Sequence, residues 1–113
     1  MSVSELTGAA LDWAVAKCEQ DGSVNSHGAL WFLLWRDRYN QWMYSTNWAQ
    51  GGPIIEREGI ALQRWLECGW LADTWNFKFA TGHSQGPTPL IAAMRCYVTS
   101  KFGDEIEIPK ELK

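Results

Sequence analysis

The sequence predicts a small single domain of the α+β class, in which an antiparallel sheet packs against two main helices. Two segments near the chain ends carry apolar residues at helical spacing, and the middle of the chain alternates apolar and polar residues as strands do. The chain has 113 residues, enough for one hydrophobic core, without an internal repeat or a linker. Residues 1–113 are therefore expected to form one domain, with residues 103–113 as an extended C-terminal tail.

The first predicted helix covers residues 4–20, where apolar side chains recur every three or four positions and make one stripe. Ser4 or Thr7 can cap its start, because a hydroxyl there accepts a hydrogen bond from an unpaired backbone N–H group. The pair Asp21-Gly22 is expected to end the helix. The polar residues 23–28 that follow predict a loop.

The aromatic-rich segment 29–44 predicts two extended strands joined near residues 36–40. Trp, Phe and Tyr suit the pleated surface of a sheet, and residues 37–40 offer polar turn chemistry. A short apolar run does not by itself distinguish a strand from a helix, so a helix is the alternative here.

A loop is predicted over residues 45–53 from their small and polar composition. Pro53 is expected to open a short helical turn over residues 54–58, because its fixed backbone angle suits a first helical position. Gly59 is expected to close that turn, since glycine readily adopts the left-handed conformation at a helix end.

The alternation of residues 60–67 predicts a strand. The pair Cys68-Gly69 can turn the chain into a second strand over residues 70–80. Residues 81–86 predict a second loop, because small and polar residues dominate them.

The clearest predicted helix covers residues 90–101. Thr88 is well placed as its N-cap and Pro89 as its first residue, a combination typical of helix starts. Gly103 is expected to end this helix.

Composition and charge argue against several classes of function. The net charge is −3, the opposite of what a binder of duplex nucleic acid usually carries, so duplex nucleic acid is not an expected partner. No apolar run is long enough to span a bilayer, and no basic leader is visible, so no membrane is expected. The three cysteines are widely spaced, which argues against a zinc knuckle and fits a reducing compartment.

Tryptophan is in excess, with eight residues in a chain of 113. One core of this size does not accommodate eight indoles fully buried, so some are expected to line a pocket or a surface patch. Trp42 and Trp48 lie beside polar segments and are expected to be partly exposed.

Two long stretches are similar to a known protein family. They are residues 48–60, WAQGGPIIEREGI, and residues 86–98, GPTPLIAAMRCYV; residues 6–17 and 103–105 are similar as well. All of them resemble the NinX-like proteins of lambdoid bacteriophages and prophages, a family of unknown function. The resemblance implies a phage origin and a location in the host bacterial cytoplasm, and it implies no activity and no cofactor.

Two predicted loop–helix junctions make the candidate ligand-binding site. A helix start exposes unpaired backbone N–H groups and the positive end of a dipole, both of which favour anions, and an adjacent indole offers a face on which a base can stack. The candidate residues are Trp48, Gln50, Gly51, Gly52, Thr88 and Arg95. The alternative is that both junctions are ordinary turns and caps, with Arg95 on a solvated face.

No catalytic or metal-binding constellation emerges from the residue pattern. A metal site would have to pair His27 and His83 with each other or with Asp73, and no ligand spacing supports this. The cysteines lie in apolar contexts, where a thiol is not activated as a nucleophile. The sequence therefore favours a non-enzymatic protein without a metal.

The leading hypothesis is a phage accessory protein that binds a small anionic, nucleotide-like ligand, such as a host defence signal that it sequesters. One alternative is a protein-interaction module that uses exposed tryptophans. The other is single-stranded nucleic-acid binding, with aromatic residues near Arg36, Arg38, Arg57 and Arg64. Surplus aromatic surface also suggests a homo-oligomer with a pocket shared between protomers.

Overall fold

A computed structural model describes residues 1–65, 69–74 and 83–113 and confirms the α+β class. Its helices are α1 (Gly8–Cys18), α2 (Gly22–Ser26), α3 (Ala29–Tyr39), α4 (Trp48–Glu58) and α5 (Pro89–Phe102), and its strands are β1 (Ala61–Trp65), β2 (Gly69–Asp73) and β3 (His83–Gly86). Short 3-10 turns occur at Val3–Glu5 and Lys110–Leu112.

Helix α5 lies at the centre of the domain, and all of residues 92–100 are buried in it. It packs against the three strands and against α1 and α4. The predicted start is confirmed, because Thr88 Oγ1 accepts a hydrogen bond from Ile91 N at 3.1 Å and Pro89 is the first helical residue. Gly103 follows the last turn, as predicted.

The three strands form one antiparallel sheet in the order β1-β2-β3. Strands β1 and β2 confirm the predicted pair as far as they are described, and the turn residue Cys68 and residues 75–80 lie outside the described part of the chain. The loop predicted at residues 81–86 is wrong for its last four residues, which form β3. Pairing with β2 explains this. The two strands are antiparallel, with Trp70 opposite Gly86, and the backbone hydrogen bonds between them hold this polar segment in a strand.

Gly86 brings the end of β3 unusually close to α5. A Cβ atom at this position would stand 2.7 Å from Ala92 N and 3.0 Å from Ala92 Cα. Those are backbone atoms, which cannot rotate away as a side chain can. Only glycine therefore permits this approach between the sheet and the central helix.

The predicted strands at residues 29–44 are wrong, because the segment begins with helix α3. The helix directs Phe32 into the core and Arg36 toward α1, four residues apart on one face. Aromatic residues also stack one turn apart along it, with ring centroids 5.7 Å apart for Trp31–Trp35 and 4.5 Å for Trp35–Tyr39. Helical spacing of the aromatic side chains thus outweighs their intrinsic preference for strands. The loop predicted at residues 23–28 likewise contains most of α2.

Helix α4 begins earlier than predicted, at Trp48, within the segment predicted as a loop. Asn47 sets this start, because its side chain accepts a hydrogen bond from Ala49 N at 2.8 Å. Pro53 consequently lies inside the helix instead of opening it. The end was predicted correctly, since Gly59 adopts a left-handed conformation with φ 65°.

Asp12 of α1 is fully buried and connects α1 with two later segments. Its carboxylate accepts hydrogen bonds from Arg36 Nε at 2.9 Å, from Arg36 Nη2 at 2.7 Å and from Ser45 N at 2.8 Å. Burial raises the pKa of this carboxyl group, while the hydrogen bonds from Ser45 and Arg36 oppose the rise. The interaction fixes α3 and the turn that follows it against α1.

A second polar network joins α1, α4 and α5 at the surface. Glu19 accepts hydrogen bonds from Arg57 Nη2 at 2.6 Å and from the hydroxyl of Tyr97. Burial acts to raise the pKa of Glu19, but the hydrogen bonds from Arg57 and Tyr97 outweigh it, and the pKa is lowered overall. Folding therefore favours the ionised form of this carboxyl group.

The N-terminal segment lies beside the beginning of the C-terminal tail. Ser2 and Glu105 form an antiparallel bridge, and Val3 N donates a hydrogen bond to Asp104 O at 2.8 Å. Beyond this bridge, Ile108 and Leu112 are buried in the core. The tail thus closes one side of the domain and holds the N-terminal segment in place.

We expect Gly51→Ala to destabilise the protein and Gly52→Ala to stabilise it. A Cβ at Gly51 would stand 2.7 Å from Leu90 Cδ1 and closer still to the carbonyl oxygen of Tyr44, whereas a Cβ at Gly52 meets nothing within 4 Å. Overpacking costs about 1–3 kcal/mol, and relief of glycine's helix penalty gains about 0.5–1 kcal/mol. Urea unfolding of both variants measures the difference, and equal effects would contradict the close contact.

We also expect acid to remove the stability that Glu19 contributes. Because the folded-state pKa of Glu19 lies below its ordinary value of 4.5, the contribution is present above that value and is lost as the pH falls through the folded-state pKa. The stability advantage of the wild type over Glu19→Gln should therefore shrink between about pH 7 and about pH 3. Denaturant titrations at each pH measure it, with Glu56→Gln on an exposed site as the control.

Candidate functional site

A cavity of about 810 Å³ opens between the N-terminal segment, the sheet and α5. Its described lining is Ser2, Val3, Ser4, Trp65, Gly69, Trp70, Ser84, Gln85, Gly86, Pro87, Arg95, Thr99 and Asp104. Its position follows from the fold, because the bridge between the chain ends forms one wall and the end of the sheet nearest Gly86 forms another. The lining mixes hydroxyls and indoles with one guanidinium, that of Arg95, and one carboxylate, that of Asp104.

Arg95 is the cation of this cavity and is 8% exposed. Its Nε donates a hydrogen bond to Leu6 O at 2.9 Å, and its Nη1 donates one to Gln85 O at 2.9 Å. In the described part of the chain, no salt bridge joins Arg95 to a carboxylate and no hydrogen bond engages Nη2. The alternative that Arg95 lies on a solvated face is therefore wrong.

The environment of Arg95 disfavours an unbalanced charge. Burial lowers its pKa, because removing the guanidinium from water penalises the charged form. Arginine nevertheless stays protonated in proteins, so the cavity contains a desolvated cation held by two neutral carbonyl dipoles. An anion placed against the guanidinium would supply the missing opposite charge.

Two indoles stand at the sheet side of the cavity. Trp65 ends β1 and is 40% exposed, and Trp70 lies in β2 opposite Gly86. The guanidinium of Arg64 lies 5.4 Å from the centre of the Trp70 ring. These side chains give the cavity a flat, electron-rich surface beside a buried cation.

The six predicted site residues do not converge on one cavity. Arg95 lines the cavity described above, whereas Gln50 lines a second, polar cavity of about 600 Å³ bounded by α4 and residues 39–44. Gln50 holds a turn there, accepting from Met43 N at 2.6 Å and donating to Asn40 O at 2.7 Å. The two junctions do meet, because Gly51 packs against Leu90 near the start of α5.

The remaining predicted residues have simpler surroundings. Trp48 is 53% exposed at the first position of α4, which confirms its expected exposure, whereas Trp42 is buried and donates to Asp21 Oδ2. Gly51 and Gly52 lie inside α4, so the expected helix start at this glycine pair is wrong. Thr88 caps α5 and is exposed beside Pro87, which lines the larger cavity.

Several residues of the larger cavity escaped the sequence analysis. Trp65 and Trp70 were not among the candidate site residues, and residues 83–86 were predicted as a loop. The signal that points to them is their position at the ends of one hairpin, where register places Trp65 beside Gly69 and Arg64 beside Trp70. The alternation of apolar and polar residues predicts two strands, but it does not show which residues of the two strands lie opposite each other.

The described thiols do not support nucleophilic chemistry. Burial raises the pKa of Cys18 and of Cys96 to about 12, which keeps both protonated at neutral pH. Among the described residues, no group of three or more His, Cys, Asp or Glu side chains could hold a metal ion.

A family model described as "Bacteriophage P22, NinX" matches residues 2–101. The chain belongs to this NinX family. The match includes every cavity-lining residue except Asp104, and it contains Arg95 and both indoles. No curated protein matches the chain. Within the described residues of this NinX family member, none of the helices has the length and apolar character required to cross a membrane.

We expect Thr88→Ala to lower the free energy of unfolding by about 1 kcal/mol, the usual effect of losing a hydroxyl N-cap. Thr88→Ser keeps the acceptor for Ile91 N and should change stability by only a few tenths of that amount. Thermal and denaturant unfolding of the two variants test the assignment. A similar loss in both variants would show that the methyl group of Thr88, and not its oxygen, carries the effect.

Proposed function

We propose that this NinX protein is a non-enzymatic phage accessory protein that binds a small anionic, nucleotide-like ligand in the cavity around Arg95. The observation that carries the proposal is a buried guanidinium that faces a cavity and has no carboxylate partner among the described residues. Of the residues first considered for this role, Arg95 is the one that supports it best. The contribution of Thr88, Trp48, Gln50, Gly51 and Gly52 remains a prediction.

The chemistry of the lining suits a phosphate joined to a planar base. Among the described residues no hydrogen bond engages Arg95 Nη2, so its N–H groups can donate to phosphate oxygens. Charge-assisted hydrogen bonds of this kind are roughly twice as strong as neutral ones. Trp65 and Trp70 offer ring faces, and stacking of a base on an aromatic side chain contributes about 1–3 kcal/mol. The hydroxyls of Ser2 and Ser84 can hydrogen-bond the polar edges of the ligand.

The distribution of arginines does not favour the single-stranded nucleic-acid alternative. Arg36 pairs with the buried Asp12, and Arg57 pairs with Glu19 and Glu58. An electrostatic track along a nucleic-acid backbone requires cations that are available to phosphates. These two arginines already neutralise carboxylates of the same chain, so the group of four arginines offers less positive charge than its sequence suggests.

We further propose that the protein acts in the host bacterial cytoplasm and sequesters its ligand. Binding of a ligand without a chemical reaction is compatible with this cavity, because its described lining holds no activated thiol and no candidate metal cluster. A host signalling nucleotide is the ligand class from which a phage would gain most by simple sequestration.

The test is calorimetric titration of the full chain with a panel of mono-, di- and cyclic nucleotides. For a nucleotide that binds, Arg95→Met should weaken affinity by about 10- to 100-fold, because one charge-assisted contact is lost. Trp70→Leu should weaken it by about tenfold through lost stacking. Glu56→Gln, at an exposed position of α4 outside the cavity lining, is the control, with affinity unchanged. Trp48→Ala tests whether Trp48 takes part in the site.

Arg95→Met should also reduce stability, since Leu6 O and Gln85 O lose their donors. Unfolding curves should therefore accompany each titration. Trp70→Leu keeps both of those donors and gives a second, independent measure of binding. Absence of heat with every nucleotide at tens of micromolar protein would refute the proposal, and affinity lost only in Trp48→Ala would move the site to α4.

A further inference from the structure

Helix α3 carries an apolar stripe that the rest of the chain leaves exposed. Leu30 is 70% exposed and Leu34 is 64% exposed, and the two lie one turn apart. Asp37, one turn further along the same side, has a side chain that is 75% exposed. Phe32 is the buried residue of this helix, so the leucines point away from the core. Exposed leucines at helical spacing mark a surface that another helix can cover.

From this stripe we infer that two copies of the chain pair through α3, antiparallel and related by a two-fold axis. An antiparallel pair of helices brings Leu30 of one copy against Leu34 of the other at both ends of the contact. A two-fold interface requires such self-complementarity, because each residue pair occurs twice. The leucine pair of α3 meets this requirement of self-complementarity.

A second feature of α3 is self-complementary about the same axis. The N-cap of α3 is Gly28, which has no side chain to cap the unpaired N–H groups of the first turn. Near the other end, Asp37 presents an exposed carboxylate, with Oδ1 3.7 Å from Arg36 Nη1 of the same helix. A carboxylate is the group that best stabilises a helix start. In an antiparallel pair, Asp37 of each copy lies beside the uncapped start of the other.

The two features agree on the position of the axis. The midpoint between Leu30 and Leu34 is residue 32, and the midpoint between Gly28 and Asp37 falls half a residue later. Half a residue is about 0.8 Å along a helix, which is well within side-chain adjustment. A foreign partner would have to reproduce this apolar and charged pattern independently, whereas a second copy supplies it automatically.

Sedimentation equilibrium of the full chain tests the inference. The wild type should show twice the chain mass of 12.9 kDa at concentrations of about 100 µM. Leu34→Glu should weaken dimerisation by about 100-fold, because two buried leucines are lost per dimer. Asp37→Asn should weaken it by a few-fold. Trp48→Glu, another exposed apolar residue on a different helix, is the matched control and should leave the dimer intact.

Cysteine crosslinking distinguishes the orientation of the two helices. Antiparallel pairing predicts that a mixture of Leu30→Cys and Leu34→Cys chains forms more intermolecular disulfide than either variant alone, with the wild type as the background for its own thiols. If the two helices are parallel, each variant alone forms more intermolecular disulfide than the mixture, and this result would overturn the antiparallel arrangement. A monomeric wild type overturns the inference, whether or not the monomer then binds vesicles of anionic phospholipid or another protein through Leu30 and Leu34.

Discussion

A helix that is buried on every side must satisfy each polar group that it carries, and this constraint organises the domain around α5. Arg95 is almost wholly removed from water, and its guanidinium donates hydrogen bonds to the carbonyls of Leu6 and Gln85. Those two bonds tie the N-terminal segment and β3 to the same helix. The hydrogen bonds of Arg95 thus hold two edges of the cavity in place, and the same guanidinium is the candidate group for binding an anion.

Close approach of the surrounding elements depends on two glycines. Gly86 lets β3 reach the backbone of α5, and Gly51 lets α4 reach Leu90 and the carbonyl of Tyr44. Both glycines fall within the stretches that resemble NinX proteins, and Gly51 was one of the predicted ligand-binding residues. In the structure their surroundings are protein atoms, which accounts for glycine at these positions through packing.

The sequence was most informative where local chemistry decides the structure. The start of α5 followed from Thr88 and Pro89, and the end of α4 followed from Gly59, since caps depend on only a few neighbouring residues. The prediction of strands in the aromatic segment 29–44 was wrong because β propensity is weak and packing overrides it. In α3, the long-range pair of Asp12 and Arg36 helps to fix the helix, and no local pattern reveals a contact over 24 residues. The cavity was not predicted for the same reason, because Arg95 bonds a carbonyl from a distant part of the chain.

The clustering of indoles along α3 has an optical consequence. Trp31 lies with its ring centroid 5.7 Å from that of Trp35 and 5.5 Å from that of Trp42. Chromophores this close exchange excitation and couple their transitions, so they should dominate the near-ultraviolet circular dichroism of the protein. Trp65 and Trp70 belong to the cavity instead. Circular dichroism therefore reports mainly on the packing of α3, and quenching of tryptophan emission by a bound base would come from Trp65 and Trp70.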